Sequence, residues 1–255
     1  MPLIPQLLLG IVLAAAVAAL AHRAGALTRS GALAAWGVGA IIFGAGGWAG
    51  AAALLTFFGT STALSRWRRG TKESLGYEKG GRRDAGQVLA NGGAAAACVL
   101  LPLLLPQVNV ARVHLLFLAA LAAANADTWA TEIGSALGGR PYDLRTGRPA
   151  PPGTSGAVSL PGTLAALAGA ALLGLFAGDG AGWGIVTAAG VGGAFADSLL
   201  GATLQARWRD PHRPGHLTER SQAGPPDRGR RGVDNDAVNA LCTLAAVVLA
   251  LCLQK

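Results

Sequence analysis

The sequence predicts an all-α integral membrane protein, a polytopic bundle of about eight transmembrane helices, with seven as the alternative. Apolar residues make up 52% of its 255 residues and charged residues only 13%, about half the share of roughly 25% found in soluble domains. Runs of about 20 apolar residues, the length that spans a bilayer, recur along the chain. These observations exclude a soluble globular domain and a disordered chain. We expect residues 1–255 to form a single membrane domain.

Eight apolar segments satisfy the length criterion for a spanning helix. The second and third are contiguous, and the pair Gly46-Gly47 is the only plausible turn between them. The first resembles a signal peptide, but Arg23 and Arg29 follow its apolar run instead of preceding it, which favours a retained helix. The predicted spans are Leu3–Ala21, Gly31–Gly47, Trp48–Ser65, Ala85–Leu105, Val113–Leu137, Ala157–Gly178, Trp183–Gln205 and Asp236–Leu253.

The basic residues predict the orientation of these spans. With eight helices, the loops 22–30, 66–84, 138–156 and 206–233 share one side and carry 19 of the 21 Lys and Arg residues. The positive-inside rule places these loops in the cytoplasm. Seven helices would move Arg23 and Arg29 to the other side, so eight is preferred.

Net charge and cysteine usage narrow the class of ligand. The formal net charge of +8 suits anionic headgroups or a phosphorylated ligand, whereas a chain that lies mostly in lipid is a poor candidate for nucleic-acid binding. The three cysteines lie in apolar runs without C-x-x-C spacing. A disulfide framework and a zinc site are therefore not expected.

Three acidic residues occur inside predicted spans or at their cytoplasmic ends, where lipid does not tolerate them without a partner. They are Asp127, Glu132 and Asp197, and the first and third share the short pattern Ala-Asp-[Thr/Ser]. Mg²⁺ prefers one or two carboxylates together with phosphate oxygens and water. The acids are therefore candidate Mg²⁺ ligands, and the alternative is a set of interhelical hydrogen bonds with one protonated acid.

Cationic and glycine-rich segments border the same side of the membrane. In the 66–84 loop, glycines allow backbone amides to approach a phosphate, and basic side chains supply further donors. A second segment, around residues 151–163, combines hydroxyls with a helix start, which favours anion binding. A third precedes the last helix, where helix capping is an equal alternative for the acids. The candidate phosphate-binding residues are Lys72, Gly80, Gly81, Arg82, Arg83, Gln87, Asn91, Thr154, Ser155, Gly156, Ser159, Asp234, Asn235 and Asn239.

Acids at the membrane face, basic glycine loops and an anion-binding helix start together predict Mg²⁺-dependent handling of phosphates. The acceptor should be partly lipidic because the acids lie within the bilayer. Phosphoryl transfer needs mainly positioning and charge neutralisation, which these residues supply. Two alternatives stay open: a cation- or proton-coupled transporter that uses Asp127 and Asp197, and a cytidylyltransferase-like lipid enzyme.

The ordered motifs resemble a widespread integral membrane family whose plant members are phytyl-phosphate kinases of the vitamin E pathway. They are also distantly similar to the CTP-using polyprenol kinases. The motifs that carry the resemblance are Phe57-Phe58-Gly59-Thr60-Ser61, the Lys72 to Arg83 loop, Gln87 to Gly93, Ala126 to Gly134, Pro152 to Ser159, Phe195 to Ser198 and Asp234 to Asn239.

This resemblance implies transfer of the γ-phosphate of a nucleoside triphosphate, CTP before ATP or UTP, to phytyl, geranylgeranyl or farnesyl phosphate. Asp127, Glu132 and Asp197 would hold Mg²⁺ and triphosphate, and the basic 72–83 loop and the 154–159 loop would bind phosphates. Asp84 stands where Asn is common in the family, which leaves its role open. We expect a multi-pass protein of a prokaryotic inner membrane whose site faces the cytoplasm.

Overall fold

The computed structural model describes residues 3–67, 81–151, 154–211, 217–219, 221–222 and 224–255. In this part of the chain, seven helices are long and apolar enough to cross a membrane. The fifth continues into a 3-10 turn at Leu175–Ala177. The helices are α1 Leu3–Arg23, α2 Arg29–Arg66, α3 Ala85–Leu104, α4 Val110–Leu137, α5 Leu160–Gly174, α6 Gly180–Thr203 and α7 Asn235–Leu253.

Helix α2 folds back on itself at Gly47. A straight helix of its 38 residues would be about 57 Å long, nearly twice the thickness of the hydrocarbon core. Gly47 is non-helical, with φ 63° and ψ −156°, and a Cβ on Gly50 would lie 3.2 Å from the carbonyl oxygen of Ile42. A helix running straight through these residues would hold them far apart. The chain therefore reverses direction at the predicted glycine pair.

One residue outside the helix confirms this reversal. Arg83 packs its backbone against Gly31, near the start of α2, and its guanidinium lies 5.6 Å from the ring centroids of Phe57 and Phe58, near the end. Residues 31 and 57 would be about 39 Å apart in a straight helix. The two halves of α2 are therefore antiparallel, which agrees with the preference of the sequence for two separate segments here.

Helix α4 forms the centre of the bundle. Its residues from Leu116 to Ala126 are all buried, and most are alanines, so neighbouring helices approach closely. A Cβ on Gly190 of α6 would lie only 2.7 Å from the Cβ of Ala122. Small residues at such crossings let the helices pack closely, and this van der Waals contact stabilises their association in lipid, where the hydrophobic effect does not.

Side-chain caps set where the helices begin. The Asp84 side chain accepts from the amide of Gln87, whose own side chain bonds back to the amide of Asp84, forming a capping box that resolves the role of Asp84. Asp234 caps α7 by accepting from Ala237, which supports the capping alternative for this acid. The other side-chain caps are Thr28, Asn109, Ser159 and Asp179.

The predicted all-α class is confirmed by the seven membrane-length helices, and the loops add two small antiparallel sheets with two residues in each strand. Strand β1 Tyr142–Asp143 pairs with β2 Ala157–Val158, and β3 Trp208–Arg209 pairs with β4 Leu217–Thr218. The sixth span therefore begins at Leu160, after the Ser159 cap, and not at Ala157 as predicted.

The four basic loops meet at one end of the bundle, which we call the loop end. Arg66 donates to the carbonyl oxygen of Ala24 at 2.6 Å, and the amide of Arg83 donates to Ala26 at 2.9 Å. Arg228 reaches Asp143 at 3.4 Å, linking the third loop to the fourth. This arrangement agrees with the predicted sharing of one side by these loops.

Candidate functional site

A cavity of about 380 Å³ opens at the loop end between α2, α4, α5 and α6, beside the first turns of α3 and α7. It brings together segments that are more than 200 residues apart in the sequence, from Ala26 to Asn239. Most of the predicted site residues line it: Gly81, Arg83, Gln87, Asn91, Asp127, Glu132, Thr154, Ser155, Gly156, Ser159, Asp197, Asn235 and Asn239.

Asp127 of α4 and Asp197 of α6 lie side by side in this cavity, with their carboxyl groups within hydrogen-bond distance of each other. The Oδ1 atom of Asp197 is buried and has no hydrogen-bond partner among the described residues. Other acids also act on the pair electrostatically: Glu132 on Asp127, and Glu219 on both. Such a concentration of negative charge fits a bound cation.

Glu132 lies in a different part of the cavity from the aspartate pair. Its Oε1 accepts from the hydroxyl of Ser65 at 2.6 Å, and its charge acts on Arg83. Five residues of helix separate it from Asp127, a rotation of about 140° around the axis. Within the described ranges no three His, Cys, Asp or Glu residues are close enough to hold one metal ion. The aspartates are therefore a pair of candidate ligands, without Glu132 as a third.

Arg83 is the one basic side chain among the described residues that line the cavity. Burial lowers the pKa of Arg83 to about 10, although the charge of Glu132 raises it. The residue is therefore still protonated at neutral pH. Its contact with the faces of Phe57 and Phe58 partly replaces its lost hydration.

Four predicted residues are not placed in the cavity. Arg82 donates from Nη2 to the carbonyl oxygen of Leu27 at 3.0 Å and so ties its loop to the connection between α1 and α2. Asp234 is occupied as a helix cap. The predictions for Lys72 and Gly80 fall outside the described residues.

The 154–159 loop is held against the end of α6. Gly156 has φ 77°, and a Cβ at this position would overlap the backbone of Ala202, so only glycine fits there. The hydroxyl of Ser155 donates to Gln205 Oε1 at 2.6 Å. This packing places the loop about one helical turn from Asp197.

Several residues of this region are not predicted from the sequence. Ser65 lies four residues after Ser61 on the same helix, so helical spacing from a recognised motif is a signal that would have found it. Glu219, Gln205 and Arg207 lie in or beside the polar 206–233 loop, where no periodicity separates them from ordinary surface residues.

Asp143 fixes the 138–156 loop in place. It is 7% exposed, and its Oδ1 accepts from the amides of Arg145 at 2.8 Å and Thr146 at 3.1 Å. Burial alone would raise the pKa of Asp143, but these two hydrogen bonds and the charge of Arg228 lower it overall. Asp143 therefore stabilises the loop above its unfolded pKa of about 3.9, and this stabilisation is lost as the pH falls further.

Asp143→Asn is expected to loosen this loop, because it removes the charge that attracts Arg228 and leaves a neutral, weaker acceptor for the turn amides. At neutral pH, trypsin should cleave after Arg145 several-fold faster in the variant than in the parent protein. Asp227→Asn is the matched control, because Asp227 pairs with Arg209 at 2.9 Å on the surface and such pairs contribute little. Equal cleavage of Asp143→Asn and parent would contradict this role.

Comparison with known proteins identifies the family. Residues 12–247 match the model of the family "Integral membrane protein DUF92". The chain is 33% identical over 184 residues to the uncharacterized membrane protein sll0875 of Synechocystis, covering 68% of this chain and 70% of that one. It is 30% identical to Protein PGR of Arabidopsis thaliana, covering 78% and 79%. It is also 35% identical to the chloroplastic Protein VTE6 of the same plant, covering 55% and 44%.

No solved structure matches the chain. The family match covers nearly all of the helices and every segment that lines the cavity. The family predicted from the ordered motifs is confirmed by this match and by the two plant relatives. The chain belongs to the DUF92 family of integral membrane proteins.

Proposed function

We propose that this protein is a Mg²⁺-dependent membrane kinase that transfers the γ-phosphoryl group of a nucleoside triphosphate to an isoprenyl monophosphate. The observation that carries the proposal is the pair of neighbouring carboxyl groups of Asp127 and Asp197, which lie near a further acid, Glu219. The cavity that holds them is also lined by Gly156 and Arg83. The resemblance to phytyl-phosphate kinases supports the same reaction.

The cavity suits a divalent cation. Its described lining residues include four acids and one arginine, so a triphosphate of about four negative charges would be repelled unless metal ions accompanied it. The Oδ1 atom of Asp197 lacks a partner, and two carboxylates are the usual protein share of a Mg²⁺–phosphate site. Asp127 and Asp197 would hold the ion, which would neutralise charge on the transferring phosphoryl group.

The other residues position the two substrates. Arg83 is placed to bind phosphate oxygens, and the Ser155–Gly156 segment brings backbone groups to the lining of the same cavity. An oxygen of the acceptor phosphate forms the new bond to the γ-phosphorus, and the bond to the β,γ-bridging oxygen breaks, releasing a nucleoside diphosphate. The attacking oxygen is already ionised, so no general base is needed.

The depth of the cavity favours an acceptor anchored in lipid. Both aspartates belong to membrane-spanning helices, and Phe195, which also lines the cavity, is 40% exposed on the outside of the bundle. A phosphate on a hydrocarbon chain can reach the aspartates from the bilayer. A water-soluble acceptor would not be stabilised by a site at this depth.

The test is an assay of the purified protein in lipid with Mg²⁺, isoprenyl phosphate and labelled nucleotide. CTP, ATP and UTP should be compared, each with farnesyl, geranylgeranyl and phytyl phosphate. Label from the γ-position should appear in an isoprenyl diphosphate, and chelation of Mg²⁺ should abolish it. Transfer of the α-label would instead indicate a nucleotidyltransferase, and ion flux in liposomes without either transfer would indicate a transporter.

We also propose that the loop end faces the cytoplasm of a prokaryotic cell, because 19 of the 21 Lys and Arg residues belong to its loops. Thr146→Cys at this end should resist an impermeant thiol reagent in intact cells, whereas Gln107→Cys at the other end should react. Both residues are exposed. Cys252→Ser is the required background because Cys98 and Cys242 are buried but Cys252 is exposed. The reverse labelling pattern would contradict this orientation.

A further inference from the structure

We propose that Arg207 is a positioning residue that holds the Ser155–Gly156 segment against the end of α6 and thereby sets its distance from Asp197. This inference rests on the proposed function. Arg207 follows α6 and is only 2% exposed, although arginine is rarely buried unless its charge is paired and hydrogen-bonded. Its burial therefore requires an explanation from its contacts.

The guanidinium of Arg207 joins two elements. Its Nη2 donates to the carbonyl oxygen of Ser155 at 2.7 Å and also to that of Gly201. Gln205, likewise 2% exposed, accepts from the Ser155 hydroxyl at 2.6 Å. Ser155 is thus held through both its backbone and its side chain by residues that follow α6.

This connection reaches the aspartate pair along α6. Gly201 lies four residues after Asp197 on the same helix face, and a Cβ on Gly201 would lie 2.9 Å from the Ser155 hydroxyl oxygen. The loop therefore contacts α6 directly, one turn from the candidate metal ligand. A triphosphate that bridges the loop and Asp197 depends on this spacing.

The charge of Arg207 also acts on the cavity. Burial lowers the pKa of Arg207, and the charges of Glu219 and Asp143 oppose this lowering. Glu219 lines the cavity and acts on both aspartates. A positive charge beside Glu219 reduces its repulsion of an entering phosphate chain.

Stability alone does not account for this arginine. Its Nε is buried without a hydrogen-bond partner among the described residues, which costs free energy. Its backbone pairs with Arg228 through two hydrogen bonds of 2.9 and 3.1 Å, and these survive a change of side chain. Arg207→Met leaves the carbonyl oxygens of Ser155 and Gly201 without this donor, and the cost of two unsatisfied acceptors is less than the stability of a typical folded domain. Arg207→Met is therefore expected to fold.

The test compares Arg207→Met and Arg207→Lys with Arg209→Met, whose side chain is 86% exposed. Arg207→Met should raise the nucleotide KM by about ten-fold or more, with the isoprenyl phosphate KM changed less than about two-fold. Arg207→Lys keeps the charge and one or two donors, so its nucleotide KM should be intermediate. Arg209→Met should match the parent protein. A residue that acted only on folding would change active fraction and melting temperature but not this KM ratio.

Nucleotide binding gives a second readout that is independent of turnover. A fluorescent analogue of the preferred nucleotide, with Mg²⁺, should bind Arg207→Met about ten-fold more weakly than the parent. If Arg207→Met does not fold, Arg207→Lys and Gln205→Met serve in its place, because each weakens one support of Ser155. Parent-like nucleotide KM and affinity in the folded variants would overturn the role of Arg207. A parent protein with no transfer and no nucleotide binding would overturn the proposed function itself.

Discussion

Replacing Asp127 or Asp197 with Asn is expected to lower turnover by about 1,000-fold or more, a loss of about 4 kcal/mol of transition-state stabilisation. The amide keeps the shape of the side chain but removes the negative charge that would hold Mg²⁺. Because the two carboxyls are adjacent, the remaining acid alone would bind the ion weakly. Either single substitution should therefore affect turnover nearly as much as the double one.

The same substitutions should leave the fold intact or stabilise it. Removing one of two neighbouring acids relieves repulsion, so without Mg²⁺ the melting temperature of Asp197→Asn should equal or exceed that of the parent. Adding Mg²⁺ should raise the melting temperature of the parent but not of the variants. Differential scanning measurements with and without chelator would separate a ligand role from a structural one.

The matched control for this comparison is Asp179→Asn. This is the same chemical change on a helix that carries one of the two aspartates. Asp179 caps α6 at the end opposite the cavity, where its side chain accepts from the amide of Gly182 at 2.6 Å. Asn is also a good N-cap, so turnover and Mg²⁺ response should match the parent. Near-normal turnover in Asp127→Asn or Asp197→Asn would remove that residue from the site.

The sequence predicted the transmembrane architecture well because lipid imposes a strict rule. Backbone polar groups must be satisfied within each span, so apolar length locates the helices, and Gly47 is where a reversal was expected. The same penalty made Asp127 and Asp197 conspicuous. Both predictions depend on the free energy of placing a residue in lipid, which follows from the residue type alone and requires no knowledge of tertiary contacts.

The loop end was less predictable because its backbone polar groups can be satisfied by water, so its sequence is not restricted to apolar helices. Asp234 caps a helix while Asn235, its neighbour, lines the cavity, and the sequence offered no way to divide them. Arg207 was overlooked because a buried arginine and a surface arginine look alike in a polar loop. Only the folded chain shows that one of seven basic residues in the 206–233 segment is 2% exposed.

Arg82 and Arg83 show the same limit most clearly, and they offer the second large effect. The sequence treated the pair alike, but the backbone turns one side chain toward Leu27 and the other into the cavity. Arg83→Met should lower kcat/KM by about 100-fold, or about 3 kcal/mol, because it removes the one described cation that lines the cavity. It also leaves Glu132 without that charge.

Arg82→Met is the internal control for this loss, since it makes the same chemical change one residue away. It should retain kcat/KM within about three-fold and cost about 1 kcal/mol of stability, the value of its hydrogen bond to Leu27. Steady-state kinetics on both variants, with melting temperatures measured in the same detergent, would compare the two side chains directly. Equal catalytic losses would mean that both arginines act on phosphate. A larger loss in Arg82→Met would mean that the loop binds nucleotide in an arrangement other than the one described, with Arg82 turned into the cavity.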